Sequence, residues 1–147
     1  MNYNEIEILI ADDSTDDALL AIRALKKSGL TNKIHHVMDG VEALDFIYCR
    51  GAFTSRTTKD HLKLILLDLK MPKVTGIEVL EKIKSDPDLK IIPVIILSSS
   101  KEDPDIKKCY ALGANSYIVK PVESEKFFLA IKELGLYWMI LNQPPQH

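Results

Sequence analysis

The run Leu64–Asp68 constrains the fold of this chain more than any other feature, because four large aliphatic residues lead directly into one carboxylate. An uninterrupted apolar run of this kind is typical of a strand that is covered on both faces, as in a parallel sheet. Open α/β sheets carry their ligands at the carboxyl ends of such strands. The sequence therefore predicts that Asp68 lies at a binding edge.

A second apolar run, Ile6–Ala11, also ends in acids, Asp12 and Asp13. Three carboxylates at the ends of neighbouring strands would repel one another strongly unless a cation lay among them. Mg²⁺ is a hard cation that prefers oxygen ligands and uses one or two carboxylates together with water. The pattern predicts an Mg²⁺ site at Asp12, Asp13 and Asp68, in which Mn²⁺ can substitute.

Strand and helix signals alternate along the whole chain. We predict strands over Glu5–Ala11, Lys33–Met38, Leu62–Asp68, Pro93–Ser98 and Ser116–Val119. We predict helices from Ser14 or Thr15 to Ser28, over Val41–Tyr48, Thr75–Ser85 and Asp103–Leu112, and from Ser124 onward. In the first helix, Leu19, Ile22 and Leu25 predict a buried face that Ala18 widens. The alternation predicts an α/β fold, a flavodoxin-like doubly wound five-stranded parallel sheet in the order 2-1-3-4-5 with five helices.

Composition excludes several classes of function. The chain has 147 residues, which fits one ordinary domain, and a net charge of −2 that gives no broad attraction to nucleic acid. Cys49 and Cys109 are predicted to be reduced thiols, with a disulfide as the less favoured alternative. We find no signal-peptide pattern and no apolar stretch of transmembrane length. The sequence therefore predicts a cytoplasmic protein without a membrane or nucleic-acid partner.

Residues 50–60 form a polar segment that predicts a long loop after the second helix. Phe53 either folds back onto the domain or is offered to a partner, and we favour the first alternative. The basic residues Arg50, Arg56 and Lys59 are expected only to keep the loop soluble. His35 and His36 are adjacent on an edge strand, so they point to opposite faces and are expected to be exposed rather than to share a metal.

The C-terminal stretch, residues 124–141, is predicted to be the last helix and its extension. A continuous helical stripe is formed by Phe127, Ile131, Leu134, Trp138 and Leu141. Gly135 interrupts this pattern and marks either a break or a close approach. The apolar residues exceed what one helix face needs, so they either cover their own domain or form a homodimer contact, which we prefer. The candidate dimer residues are Phe127, Tyr137, Trp138, Ile140 and Leu141.

Two more strand ends carry polar groups suited to an anion. Ser98, Ser99 and Ser100 end the fourth strand and supply hydroxyls, and Lys120 ends the fifth and supplies a positive charge. Phosphoryl transfer depends mainly on positioning and neutralising the phosphoryl oxygens. A carboxylate can act as the nucleophile and form an acyl phosphate. These residues therefore predict an anion site centred on Asp68.

The same residues, in this order and at these strand ends, resemble the receiver domain of two-component response regulators over nearly the whole chain. The motifs that carry the resemblance are Asp12-Asp13, Asp68, Ser98, Gly113-Ala114 and Lys120-Pro121. The resemblance implies one receiver domain over residues 1–147 without an output domain. It also implies that a sensor histidine kinase phosphorylates Asp68 and that altered protein contacts carry the signal. Such a protein is not an enzyme, beyond catalysing its own phosphorylation and slow dephosphorylation.

The resemblance also implies a role for each matching position. Asp68 is the phosphoacceptor, and the metal ligands are Asp12, Asp13, Asp68 and the main-chain carbonyl of Lys70. The residues that bind the phosphoryl group are Ser98, Ser99 and Lys120. Ser98 and Tyr117 are the switch pair, although core packing is the alternative role for Tyr117. Pro121 is expected to follow a cis peptide bond.

The long loop and the C-terminal extension are similar to those of stand-alone regulators that are paired with bacterial phytochromes and form homodimers. This narrower resemblance implies a phytochrome-type kinase and a downstream protein that the sequence does not identify. Lys70 and Ser100 stand where other receivers carry side chains that orient water, which predicts a long-lived phosphoryl group. Two alternatives stay open. A degenerate receiver would act only as a binding module, and an aspartyl-phosphate hydrolase would need a second acid where Lys70 stands.

Overall fold

The computed structural model describes residues 6–30, 33–56 and 62–136, which form a parallel sheet in the order β2-β1-β3-β4-β5. The strands are β1 (Glu7–Ala11), β2 (Lys33–Val37), β3 (Leu62–Asp68), β4 (Val94–Ser98) and β5 (Ser116–Val119). The helices are α1 (Thr15–Lys27), α2 (Gly40–Ile47), α3 (Gly76–Ser85), α4 (Asp103–Ala111) and α5 (Ser124–Glu133). The predicted strand order, the five helices and the flavodoxin-like fold are confirmed.

The central strand β3 is buried on both faces, which explains its uninterrupted apolar run. Ile65 and Leu67 pack into the core on the side of α2 and α3, and Leu64 and Leu66 pack into the core beside α1 and α5. All four side chains are fully buried. Because both faces are covered by helices, alternation of apolar and polar residues would have left a polar group in one of the two cores.

Side-chain caps fix where three of the helices begin, and all three caps lie at the carboxyl edge of the sheet. The Ser14, Asp39 and Thr75 side chains accept hydrogen bonds from main-chain N–H groups in the first turns of α1, α2 and α3. Such caps satisfy donors that have no partner inside the helix. The caps therefore determine how these helices leave the edge at which the acids of β1 and β3 lie.

The predicted buried face of α1 was partly wrong. Leu19 is 57% exposed, whereas the small side chains of Ala18, Ala21 and Ala24 lie against the sheet together with Leu25. Small residues allow the helix backbone to approach the strands closely, so the buried stripe is rotated toward the alanines. Periodicity counted only the large residues and therefore placed the centre of the face incorrectly.

The segment after α2 folds back onto the domain. Gly51–Phe53 form a short 3₁₀ helix, and the Phe53 ring packs against Phe46 with 5.2 Å between ring centroids. This confirms the favoured alternative for Phe53. The expectation for Arg56 was wrong, because its side chain is only 10% exposed and forms an ion pair with Glu7 at 2.6 Å. Lys59 lies outside the described residues.

Arg56 has several partners besides the Glu7 carboxylate. Its guanidinium donates to the main-chain oxygen of Phe46 at 2.6 Å and lies 4.1 Å from the centroid of the Phe46 ring. The His35 ring lies 4.7 Å from the same ring and 3.7 Å from Glu7. His35 is therefore half-buried, which corrects the expectation that it is exposed. These contacts attach the loop to the first strand and to α2.

The last helix ends earlier than the apolar stripe suggested. Gly135 adopts a positive φ of 71° just after α5, so it marks the break that was one of the two alternatives for this residue. Phe127 is fully buried in the core between α5 and the sheet, so its prediction as a dimer contact is corrected. The other candidate dimer residues, Tyr137, Trp138, Ile140 and Leu141, lie outside the described residues, and their role stays a prediction.

Both cysteines, Cys49 and Cys109, are free thiols. None of the helices in the described part of the chain has the length and apolarity that a membrane span requires.

Candidate functional site

Three carboxylates converge at the carboxyl edge of the sheet. Strands β1 and β3 are hydrogen-bonded neighbours, with Ala11 paired to Leu67, so the acids that follow them lie side by side. Asp12, Asp13 and Asp68 each offer an oxygen, and these oxygens all lie within 4.8 Å of one another. Asp12 and Asp68 are buried, whereas Asp13 is exposed, so the cluster opens to solvent on one side.

This donor set fits a hard divalent cation. Carboxylate oxygens are the ligands that Mg²⁺ and Mn²⁺ use in proteins, and an open side leaves room for the waters that Mg²⁺ retains. Two of the three acids are buried, which makes their mutual repulsion stronger than it would be in water. A cation bound there would remove that repulsion. Asp12, Asp13 and Asp68 are the side chains that would hold it.

The turn after β3 wraps around the Asp68 carboxylate. The main-chain N–H of Lys70 points at an Asp68 oxygen over 3.4 Å, and the Lys70 side chain is exposed. Gly76 begins α3 against the same turn, and a Cβ at this position would overlap the main-chain oxygen of Asp68. Gly76 was not singled out by the sequence, because a glycine that starts a helix gives no local sign that a strand end lies against it. The role of the Lys70 carbonyl stays a prediction.

Lys120 reaches the acids from the carboxyl end of β5. Its ammonium lies 2.9 Å from Asp12, 3.0 Å from Asp17 and 3.5 Å from Asp68. Burial lowers the pKa of Lys120, but the hydrogen bonds that its ammonium donates to Asp12 and Asp17, together with the charge of Asp68, outweigh burial, so the pKa lies above its ordinary value. The lysine therefore carries a full positive charge at neutral pH. The Lys120–Pro121 peptide bond is cis, as the resemblance implied.

Asp17 is a site residue that the sequence reasoning missed. It lies in the first turn of α1, where an acid is ordinarily explained by the helix dipole alone. The signal that could have found it is its spacing of three residues from the capping Ser14. A residue at that position lies in the turn of α1 that faces the ends of the strands, next to Asp12.

The environment of Asp68 disfavours its charged form. Burial, and to a smaller extent the neighbouring Asp12 and Asp13, raise the pKa of the Asp68 carboxyl to about 6 against the opposing effect of Lys120. One ammonium is thus insufficient to offset burial and two adjacent acids. Additional positive charge beside Asp68 would make its carboxylate form, which is the nucleophilic form, easier to populate.

The hydroxyl side of the site is formed by the end of β4 and the loop that follows it. Ser98 is buried, and its hydroxyl accepts a hydrogen bond from the Ser100 N–H at 3.1 Å. Tyr117 donates its hydroxyl to the Ser100 carbonyl at 2.9 Å, while its ring packs against the core. The Ser100 hydroxyl donates to Asp105 of α4 at 2.5 Å. Ser99, in contrast, is exposed.

The second edge histidine also contacts the site. His36 donates from Nε2 to the main-chain oxygen of Asp12 at 2.8 Å, so this ring is half-buried rather than exposed as expected. His35, one residue earlier, faces Glu7 and Phe46 instead. The two rings have different surroundings, as their positions on opposite faces of a strand require.

Known relatives match this chain over most of its length. It is 36% identical over 138 residues to the probable methanogenesis regulatory protein FilR2 of Methanothrix harundinacea, a match that covers 94% of this chain and 86% of the relative. It is 34% identical over 132 residues to the response regulator Rcp1 of Synechocystis, covering 90% of this chain and 88% of the relative.

Solved structures of phytochrome response regulators are also similar. The bacteriophytochrome response regulator RtBRR has a TM-score of 0.84 at 45% identity, covering 95% of this chain and 84% of the other. The Mn²⁺-bound form of Rcp1 has a TM-score of 0.74 at 33% identity, covering 96% and 99%. The phosphorylated cyanobacterial phytochrome response regulator RcpA has a TM-score of 0.73 at 36% identity, covering 95% and 96%.

A comparison with protein families matches residues 8–132 to the response regulator receiver domain. The matched segment begins within β1, ends within α5 and includes each acid of the cluster, Ser98 and Lys120. This chain therefore belongs to the response regulator receiver domain family of two-component signalling, with phytochrome response regulators among its structural neighbours.

Proposed function

We propose that this protein is a receiver that accepts a phosphoryl group from a sensor histidine kinase onto Asp68, with Mg²⁺ as its cofactor and Mn²⁺ as a substitute. The observation that carries the proposal is the grouping of Asp12, Asp13 and Asp68 within 4.8 Å, with the Lys120 ammonium 3.5 Å from Asp68. An acid nucleophile, a cation site and a fixed ammonium are the parts that phosphoryl transfer to a carboxylate needs.

The transfer begins when a carboxylate oxygen of Asp68 attacks the phosphorus of a phosphohistidine. The new O–P bond forms as the P–N bond breaks, and the histidine nitrogen that leaves takes up a proton. Lys120 neutralises one phosphoryl oxygen. The Ser98 hydroxyl turns from the Ser100 N–H to donate to another, and Ser99, the next residue, is proposed as a further phosphoryl-binding residue. A metal bound by Asp12 and Asp13 would supply further positive charge to the phosphoryl oxygens.

The relatives support the cofactor and the chemistry. Rcp1 has been solved in a Mn²⁺-bound form and RcpA in a phosphorylated form. This chain is 33% and 36% identical to them, and the matches cover 96% and 95% of its length. The bacteriophytochrome regulators RtBRR and AtBRR support a phytochrome-type kinase as the phosphodonor.

Signalling through altered protein–protein contacts fits the arrangement around Tyr117. Its hydroxyl bonds to the same loop whose N–H holds Ser98, so a change at Ser98 alters the loop that supports Tyr117 and α4. We propose that phosphorylation shifts this region between two arrangements and changes which protein it binds in the cytoplasm. We also propose homodimerisation through Tyr137, Trp138, Ile140 and Leu141, supported by the apolar excess in that stretch of sequence.

The phosphoryl group is expected to be long-lived. Lys70 offers no carboxylate or carboxamide that could orient an attacking water, and the Ser100 hydroxyl already donates to Asp105 at 2.5 Å. A self-dephosphorylation half-life of only seconds in Mg²⁺ would show that another group activates water.

The test is incubation of the full chain with acetyl phosphate and Mg²⁺, followed by intact mass measurement. We expect one added phosphoryl group, its loss in Asp68→Asn, and its retention in Asp16→Asn, which removes an exposed acid from the first turn of α1. No labelling of the wild type would favour a binding module, and rapid release of phosphate would favour a hydrolase. Transfer from a panel of kinases then tests whether a phytochrome-type kinase is preferred.

A further inference from the structure

The ammonium of Lys120 is held more closely by two other acids than by the phosphoacceptor. Its distances to Asp12 and Asp17 are 2.9 Å and 3.0 Å, whereas its distance to Asp68 is 3.5 Å. A lysine ammonium has three N–H donors. Two of these have short ion-pair partners, and the longest of the three contacts is the one toward the residue that receives the phosphoryl group.

Asp17 is fixed on the same turn that holds Asp12. The Ser14 hydroxyl accepts a hydrogen bond from the Asp17 N–H at 3.2 Å, and the Ser14 N–H donates to Asp12 at 2.9 Å. The Asp17 side chain is 32% exposed, and Lys120 is 11% exposed. Their contact is therefore partly shielded from water. Asp17 is not one of the three acids that cluster as a cation site, so its partner in the site is the lysine.

We propose that Asp17 is a positioning residue that restrains Lys120 in the unphosphorylated protein and competes with the phosphoryl group for its ammonium. This inference rests on the proposed phosphorylation of Asp68. A phosphoryl group on Asp68 is an anion that must draw the ammonium toward itself, and Asp17 holds the ammonium back. Removing the charge of Asp17 therefore makes Lys120 more available, so phosphorylation becomes faster and the phosphorylated form becomes more populated.

A general effect of charge has to be separated from this specific contact. Any lost acid near the site makes approach of an anionic donor more favourable. Asp16→Asn is the matched control, because Asp16 lies in the same helical turn, is exposed and carries the same charge. It also has the same favourable position relative to the helix dipole. A difference between Asp17→Asn and Asp16→Asn therefore reports the contact with Lys120.

The first experiment compares rates of phosphorylation by acetyl phosphate in saturating Mg²⁺. We expect Asp17→Asn to raise the rate constant roughly threefold to tenfold and Asp16→Asn to change it by less than about twofold. Asp17→Glu, which restores the carboxylate, should return the rate to within about twofold of the wild type. A rate for Asp17→Asn that equals or falls below that of Asp16→Asn would overturn the inference. Absence of labelling at Asp68 in the wild type would instead overturn the proposed function.

The second experiment needs neither metal nor phosphodonor. Chemical unfolding in a chelator is measured for Asp17→Asn, Lys120→Met and the double variant. We expect non-additive changes of at least about twofold in the unfolding equilibrium constant, as for residues in contact. The pair Asp16→Asn and Lys120→Met should be additive. Additivity for Asp17 and Lys120 would show that the two residues are not coupled, whatever the labelling rates, and would also overturn the inference.

Discussion

Replacing Asp68 by asparagine, its uncharged isostere, is expected to stabilise the metal-free protein. Burial raises the pKa of Asp68 from an ordinary 3.8 to about 6, so the fold favours the protonated carboxyl. The stabilising contribution of a raised pKa is complete below the pKa of the unfolded chain and is lost as pH rises through the folded value. At neutral pH the ionised Asp68 carboxylate therefore destabilises the folded protein, and Asp68→Asn removes this loss of stability.

The size of this cost follows from the pKa difference. A difference of one in pKa corresponds to about 1.4 kcal/mol, so complete ionisation of Asp68 in the fold costs at most about 3 kcal/mol. Relaxation of the site and entry of water from its open side reduce this value. We expect Asp68→Asn to raise the free energy of unfolding by about 1 to 2 kcal/mol at about pH 8, and by close to zero at about pH 4.

The assay is urea unfolding in a chelator at several pH values. Asp16→Asn is the control, because it removes an exposed acid that interacts favourably with the helix dipole. It should lower the free energy of unfolding by a few tenths of a kcal/mol. Saturating Mg²⁺ should reduce the difference in free energy of unfolding between Asp68→Asn and the wild type, since a cation that binds the folded wild type stabilises it by mass action. The reasoning is refuted if the stability of Asp68→Asn does not exceed that of the wild type at about pH 8, or if the difference does not shrink toward acid pH.

Three further substitutions test the fold around the site. Gly76→Ala should destabilise by about 2 kcal/mol or more, because the added Cβ overlaps main-chain oxygen at the end of β3, and thermal unfolding checks this. Arg56→Met should lower the free energy of unfolding by about 3 kcal/mol, because it leaves Glu7 buried without its cation. Arg50→Met, which removes a more exposed ion pair, should lower it by less than about 1 kcal/mol. Equal losses in urea unfolding would contradict this. Burial lowers the pKa of His35 below its ordinary 6.5, and Glu7 opposes this only in part, so stability should fall as pH drops below that value. His35→Gln should reduce this slope, and an unchanged slope in pH-dependent unfolding would show that another group causes it.

The acids of the site could be predicted because each one ends a strand whose sequence defines it locally. Leu64–Leu67 is typical of a strand covered on both faces, and Ile6–Ala11 is similar, so the sheet order brings Asp12 and Asp68 together. Lys120 and Ser98 could be predicted for the same reason, because they lie at the carboxyl ends of β5 and β4. Parallel strands end at a common edge, and this geometry does not depend on rotamers or on long-range packing.

Asp17, Arg56 and Leu19 could not be predicted in the same way, because their roles depend on which direction a helix or loop faces in the packed protein. The periodicity of α1 predicted Leu19 to be in the core, but the buried face of the helix is formed by its alanines and Leu25. Arg56 appeared to be a soluble loop residue, although Glu7, its partner, lies 49 positions away in sequence. Contacts over such separations are set by the tertiary fold, and periodicity contains no information about them.

The balance of charge at the sheet edge connects the missed residue to the function. Asp12, Asp17 and Asp68 surround Lys120, and Asp13 adds a further acid at the solvent side. Burial is the main reason that the pKa of Asp68 is raised, and one ammonium against these acids does not supply enough positive charge to offset it. In the proposed reaction, a divalent cation would remove the deficit and favour the nucleophilic carboxylate of Asp68. A phosphoryl group on Asp68 would then restore negative charge there and draw the ammonium from Asp17 toward Asp68. Under this proposal the same lysine responds to the metal, to the phosphoryl group and to the first turn of α1.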